Sequence, residues 1–491
     1  MSGVLKIKSL FNSRPLGSLF LVFFVLIGLW STLTPPFSAP DEPASYIRGA
    51  ALVRGEFIGT DIAPSETTGY WSTYVDIPQQ FGVAQLVPWC FVGKPDAPAC
   101  SQPLETLTPV EDPRTDMGRY PPTGYLFSGI GSLVGPSDFS VLLGRLINAA
   151  VCALLFALAC RNYIVIGRSP IVILAAITPG VIFASSVISA SAIEISAAIC
   201  LWASLSAWLK VDSKLIHFST IASGVLLAIA RPTGPIYLLI ALLLTMLASP
   251  LSETWKSFAL RSRIAALVIG TATLLATAWQ FLIYSHNLGN SYVKETQLPT
   301  LLEVADQSLN DLSRKVGESI GNFGWLDTPA PNIVVWCFIF LTTLTAFRTW
   351  NFMTTNNKLA LLTLPMIIFL MMTYLNWNTQ KYGGNFGVQG RHLTPLIVGL
   401  PILGGSLWKP RKSTLKLFLC AWSSSVFVSA VIAMRRYSVG IKQFNFFEMF
   451  SDPIWQPMLG IVGSMVALTL ALLALSVVVY NISTKEIVQS V

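Results

Sequence analysis

Two adjacent carboxylates lie between prolines in Pro40-Asp41-Glu42-Pro43, directly after the first apolar run of the chain. Proline removes backbone freedom, so Asp41 and Glu42 hold a defined depth near lipid headgroups, suited to deprotonating a hydroxyl or binding a divalent cation. The plainer alternative is a solvated turn that caps a helix beginning at Ala44. Arg48 and Arg54 follow on one broad face; they pair with Asp41 or Glu42, or they clamp a phosphate through their planar forks. Gln389-Gly390-Arg391-His392 stands at the mouth of a later apolar run. Ionisable residues there are costly and mark function, although arginine also snorkels to headgroups. Arg231 opens Arg231-Pro232-Thr233-Gly234-Pro235 at the lip of a broken helix, and Glu194 and Arg145 lie nearer apolar runs, where a structural pair, a cavity lining and catalysis are all open. Tyr120 begins a Tyr-Pro-Pro turn. Gly321-Asn322-Phe323-Gly324-Trp325-Leu326-Asp327-Thr328-Pro329 mixes turn formers with aromatics and one acid; Trp325 fits an interfacial aromatic belt or a platform for a sugar ring.

The elements that position these residues are membrane spans. Of 491 residues, 53% are hydrophobic and 11% charged, whereas soluble domains carry roughly 25% charged residues. The excess apolar surface faces lipid, and lipid offers backbone groups no partners, so the fold class is an all-α polytopic membrane protein. Apolar runs near 16–34, 139–160, 170–190, 192–209, 217–230, 232–249, 264–284, 332–348, 359–376, 392–407, 413–433 and 456–480 give about twelve transmembrane helices. The expected organisation is a cytoplasmic tail and first helix over 1–34, a large external loop with short helices over 35–138, transmembrane helices over 139–284, a second external loop over 285–331, and C-terminal transmembrane helices over 332–491. The apolar run after Tyr120-Pro121-Pro122 reads as a helix on the membrane surface.

The net charge is +8, but its distribution says more than its sum. Pro35–Asp138 holds twelve acids against five bases, while Arg161, Arg168, Lys210, Lys214, Lys256, Arg261, Arg348, Lys358 and Arg411 gather in short loops. The positive-inside rule then puts the acidic loop outside and both termini in the cytoplasm. A basic start (Lys6, Lys8, Arg14) before the first run suits a signal peptide, but the run is long and Thr34-Pro35-Pro36 is no small-residue cleavage site, so a retained helix is expected. Cys90 and Cys100 share the external, oxidising loop, which makes them a disulfide candidate; Cys152, Cys160, Cys200, Cys337 and Cys420 fall in spans. With no phosphate-cradling nucleotide loop, no H-E-x-x-H and three histidines (His217, His286, His392), the usual signatures of ATP-driven transport and zinc proteolysis are lacking. The basic balance serves topology, not nucleic acid.

Pro40-Asp41-Glu42-Pro43, Arg119-Tyr120-Pro121-Pro122, Phe323-Gly324-Trp325-Leu326-Asp327-Thr328-Pro329 and Gln389-Gly390-Arg391-His392-Leu393-Thr394-Pro395, in that order, resemble the bacterial membrane proteins of domain-of-unknown-function family 2142, itself similar to GT-C glycosyltransferases. The resemblance covers most of the chain. It implies a GT-C-like fold, a polyprenyl-phosphate-sugar donor, an external active site and a cell-envelope glycan, lipid or protein acceptor. It also implies an acid of the first external loop, here Asp41, as base or ligand of a divalent cation. Arg391, with Arg48 or Arg231, would hold the departing phosphate, and Tyr120, Trp325, Asp327, Gln389 and His392 would line the substrate. The chain departs from the family at Ser45, often a histidine, and at Ser189-Ala190-Ser191-Ala192, often containing Asn-Pro-Asp. Competing readings are a flippase or transporter of lipid-linked saccharide, and a polysaccharide polymerase or ligase. Asp41 and Arg391 are expected to meet across one external cavity, because each lies where a span meets the outer headgroup layer.

Overall fold

The computed structural model describes residues 15–63, 71–100, 102–249, 262–285, 299–381, 387–441 and 447–489. Lys6, Lys8, Arg14, Lys256, Arg261 and His286, invoked above, lie outside the described residues.

The apolar runs fold as helices because every backbone group is then satisfied within its own segment. In order these are α1 (Pro15–Thr32), α2 (Glu42–Leu52), α3 (Thr123–Gly129), α4 (Asp138–Val165), α5 (Ile171–Ala176), α6 (Pro179–Ser185), α7 (Ala190–Trp208), α8 (Lys214–Ala230), α9 (Gly234–Leu247), α10 (Ser262–Trp279), α11 (Leu301–Ile320), α12 (Asn332–Thr349), α13 (Thr355–Lys381), α14 (Gly390–Ile397), α15 (Gly399–Gly404), α16 (Lys412–Val439), α17 (Glu448–Ser451) and α18 (Gly460–Gln489). Among the described residues, eight are long and apolar enough to cross a membrane: α1, α4, α7, α10, α12, α13, α16 and α18. Four of the twelve expected spans differ. α8 and α9 are apolar but short. The 170–190 run breaks into α5 and α6 at Thr178-Pro179, where Thr178 caps the new helix by accepting from Val181 N at 3.2 Å. The 392–407 run divides into α14 and α15, each carrying a proline.

α7 is buried on nearly every face and forms the centre of the bundle, with α4, α8 and α9 around it; α10 by contrast is almost wholly exposed. α1 packs along α4 and α18. Its continuation stops at Pro35-Pro36, which cannot extend a helix.

The segment between α1 and α4 is not purely helical. Strands β1 (Thr60–Ile62), β2 (Ser72–Tyr74) and β3 (Arg114–Thr115) form a small antiparallel sheet in that order, with Thr73 opposite both Asp61 and Thr115. The Thr115 hydroxyl donates to Ala44 O at 2.8 Å, tying β3 to α2. α2 crosses α3 where Gly49 meets Gly129; a Cβ on Gly129 would lie 2.3 Å from Gly49 O, so neither tolerates a side chain. Leu126, Ile130, Leu133 and Val134 are exposed along the helical turns after Pro122. Cys90 and Cys100 are disulfide-bonded, Cα–Cα 6.2 Å. The expected 285–331 loop contains α11, started by Thr300, which accepts from Glu303 N while Glu303 accepts from Thr300 N. β4 (Asn322–Phe323) and β5 (Thr328–Pro329) close a short hairpin behind it.

Candidate functional site

Asp41 is the residue before α2, in the left-handed backbone region at φ 63. A non-glycine residue there is uncommon and is held by its surroundings. The strained neighbours Phe37 (φ 59) and Leu326 (φ 62) share this conformation, and the 37–41 turn is braced from two sides. Trp325 Nε1 donates to Phe37 O at 3.0 Å, and the Tyr437 hydroxyl donates to Ser38 O at 2.6 Å.

Braced in this way, Asp41 meets Arg391 from α14. Arg391 Nη2 donates to Asp41 Oδ2 at 2.5 Å and Nη1 to Pro40 O at 3.3 Å, across 350 positions of sequence. Arg391 Nε is buried and, among the described residues, has no hydrogen-bond partner. Gly390 permits the approach of α14 to α11: a Cβ there would lie 2.5 Å from Glu318 Cβ, and Gly390 N donates to Glu318 Oε2 at 2.9 Å. Pro40, Arg391, Glu318, Ser189, Asn322 and Leu326 are on the wall of a narrow cavity of about 40 Å³.

A second cation–acid pair stands beside the first. Arg231, at the end of α8, donates to the Ser191 hydroxyl at 2.9 Å and lies 3.6 Å from the Glu194 carboxylate, which also accepts from the Thr233 hydroxyl at 2.9 Å. Glu194 is within electrostatic reach of Arg391 as well, and His392 within reach of Arg231, Arg391 and Lys315. The His392 carbonyl accepts from the Tyr237 hydroxyl at 2.5 Å, and its Nδ1 from Gln389 N at 3.4 Å, which fixes α14 against α9. Two serines touch this region directly: Ser189 lines the cavity and the Ser191 hydroxyl accepts from Arg231.

Other candidates are placed elsewhere. Glu42 is fully buried and faces the bundle, not the cavity. Arg145 Nε and Nη2 donate to its two oxygens at 2.7 and 2.8 Å, and Ile188 N donates to Oε1 at 3.0 Å. Against the expectation that Glu42 shares catalysis with Asp41, both its oxygens are occupied by Arg145 and Ile188 within the bundle. Asp327 is likewise committed, accepting from Arg436 Nη2 at 2.8 Å, while that guanidinium also donates to the carbonyls of Phe91, Lys94 and Ala97 in the disulfide-closed loop. Trp325 braces the Asp41 turn and Asp327 holds Arg436, while Asn322 and Leu326 of the same loop reach the cavity. Arg48 is buried behind Tyr120, donating to its carbonyl at 3.2 Å with Nε and Nη1 unpartnered; burial pushes its guanidinium down to about 10. The Tyr120 ring packs edge-on against Tyr284, centroids 5.0 Å apart. Arg54 donates to Ser132, on the far side of α2.

One acid was not marked from sequence. Asp116, in the loop leaving β3, has Oδ1 buried with no partner among the described residues, and Tyr125 lies within electrostatic reach of Asp41, Asp116, Arg231 and Arg48 together. The only sequence signal was an acid four positions before Tyr120. Among the described residues, no group of three or more His, Cys, Asp or Glu is placed to hold a metal ion.

A family model described as "Predicted membrane protein (DUF2142)" matches residues 23–400, a range that includes all four ordered motifs. No curated protein and no solved structure matches the chain. With more than half of its length covered and its helices built to cross a bilayer several times, the chain belongs to the DUF2142 family of predicted membrane proteins.

Proposed function

We propose that this protein is a membrane glycosyltransferase that moves a sugar from a polyprenyl-phosphate donor to a cell-envelope glycan, lipid or protein acceptor. The observation that carries the reading is the convergence of Arg391 and Arg231, from separate helices, with Asp41 and Glu194 at the end of the bundle. A lipid phosphate needs fixed cations at headgroup depth, and the buried, unpartnered Arg391 Nε is a donor awaiting an acceptor. In this reading Arg391 and Arg231 hold the phosphate as the bond from the anomeric carbon to its oxygen breaks, and the electron pair leaves on the polyprenyl phosphate. The acceptor hydroxyl forms the new bond, and its proton passes to a carboxylate at the cavity. Tyr120, Gln389 and His392 flank the sugar.

In this reading the eight long helices are joined by the short helices α8 and α9 and the broken pairs α5–α6 and α14–α15, each short helix and each broken pair counted as a crossing, to give the twelve crossings of a GT-C-like bundle. In a bacterial cytoplasmic membrane the basic short loops set both termini inside and the cavity outside.

The test is the full-length protein in nanodiscs incubated with a panel of polyprenyl-phosphate hexoses and pentoses plus envelope acceptors. Release of polyprenyl phosphate coupled to glycosylated acceptor is the expected result. Release from none of the donors rejects the transferase.

A further inference from the structure

We infer that Asp116 takes the proton of the acceptor hydroxyl, and that Asp41 is the positioning residue that holds Arg391 beside it. The inference rests on the transferase reading.

Asp116 has a place fixed by the same helix that presents Asp41. Thr115 donates its hydroxyl to Ala44 O at 2.8 Å and accepts from Met117 N at 3.1 Å, so the residues on both sides of Asp116 are tied to the first turn of α2. Gly118, two residues on, leaves no room for movement: a Cβ there would overlap the Thr73 hydroxyl. The two carboxylates differ in what they already hold. Asp41 Oδ2 is taken by Arg391, whereas Asp116 Oδ1 is buried and, among the described residues, has no donor. A buried acceptor without a donor is costly, and an incoming hydroxyl supplies what it lacks. Arg391 cannot serve the phosphate and drift; Asp41 and the Pro40 carbonyl fix it from the other side.

The electrostatics agree. Burial first, then the Asp41 charge, push Asp116 up to about 7, and a base works best when its pKa lies near the working pH. The ionisable groups facing Asp116 are Asp41 from the turn before α2 and Tyr125 from α3, the latter shared with Arg231 and Arg48. In the step itself, the hydroxyl O–H bond breaks and its proton goes to Asp116 as that oxygen bonds to the anomeric carbon. The anomeric carbon–oxygen bond to the phosphate breaks at the same time, its electron pair leaving on the polyprenyl phosphate, and Asp116 then returns the proton to water.

The experiment measures polyprenyl-phosphate release by the nanodisc protein from the polyprenyl-phosphate hexose and pentose panel, with envelope acceptors present, between about pH 5.5 and 8.5, for wild type, Asp116→Asn and Asp116→Glu. The wild-type rate should rise about tenfold per pH unit below about 7 and level off above it, because only ionised Asp116 accepts a proton. Asp116→Asn should lose about 10²–10⁴-fold in kcat with donor binding unchanged and no pH dependence left, and Asp116→Glu should recover part of the rate. A folded Asp116→Asn protein within about threefold of wild type overturns the assignment and leaves the transferase standing. If Asp116→Asn does not fold, the wild-type profile decides, and a flat one overturns it. A wild-type protein that releases polyprenyl phosphate from no donor overturns the transferase and this assignment together.

Discussion

Asp41 and Glu42 are neighbours in sequence, carry the same group and each pairs with an arginine more than a hundred positions away, yet the two pairs are built for opposite ends. Arg145 spends its donors on structure. Besides both Glu42 oxygens, it donates to the carbonyls of Ser31, Thr34 and Pro35 and to the Ser38 hydroxyl, satisfying the backbone groups left open where α1 ends. Glu42 in turn anchors the break before α7 through Ile188 N. Arg391 instead leaves Nε unpartnered, and Asp41 is 41% exposed where Glu42 is 0%. The lesson is that a buried charge with every hydrogen bond made fixes a fold, while a charge with a bond to spare, at the end of the bundle, is available to a ligand.

That contrast is broken most directly at Arg145. Replacing it with alanine leaves Glu42 buried without a cation and three carbonyls without donors, so Arg145→Ala should cost about 3–5 kcal/mol and abolish the folded protein in detergent. Glu42→Gln keeps the volume and one acceptor and should cost less. Thermal melting of purified protein is the measurement, and a stable Arg145→Ala bundle would remove the distinction between the two pairs.

Asp41→Asn should behave in the reverse manner. The turn is held by Trp325 and Tyr437 independently of the carboxylate, so the melt should move little. Freeing Arg391 from its partner should still lower transfer on the order of 10²-fold, with weakened donor binding as part of the loss. Equal destabilisation of Asp41→Asn and Arg145→Ala would falsify the functional reading of Asp41.

How far the sequence reveals this follows from what each feature depends on. Eight of the twelve expected spans, the Asp41 turn and Arg391 at the mouth of an apolar run were legible because each is local: an apolar run, prolines, a charge at an edge. Which of two adjacent carboxylates faces inward was not, since successive helical residues point about 100° apart and the choice rests on Arg145, 103 positions away. Trp325 and Asp327 look like ligand-lining residues for the same reason; their work as braces appears only once Phe37 and Arg436 are beside them. Asp116 becomes visible only when β3 is docked on α2. α11 was readable in principle, since Thr300 and Glu303 stand at capping-box spacing ahead of Val304, Leu312 and Val316.

The smallest effect tests the brace itself. Tyr437 is fully buried on α16, its ring edge-on to Phe91 at 5.3 Å and its hydroxyl donating to Ser38 O. Tyr437→Phe keeps the ring and removes one donor, leaving a buried carbonyl unsatisfied, which costs about 1–2 kcal/mol. Trp325 still holds Phe37 O, so the turn should loosen without collapsing. Because Asp41 sits three residues beyond Ser38, loosening should reach the Asp41–Arg391 contact and raise the donor dissociation constant about 2–10-fold, or about 0.4–1.4 kcal/mol. Donor titration of Tyr437→Phe beside Asp41→Asn reads this out. If the turn acts as a brace, the double variant should weaken binding by less than the product of the two single effects, because once Asp41 is gone there is no contact left for Tyr437 to position. Independent, multiplicative losses would mean that Tyr437 and Asp41 serve the protein separately.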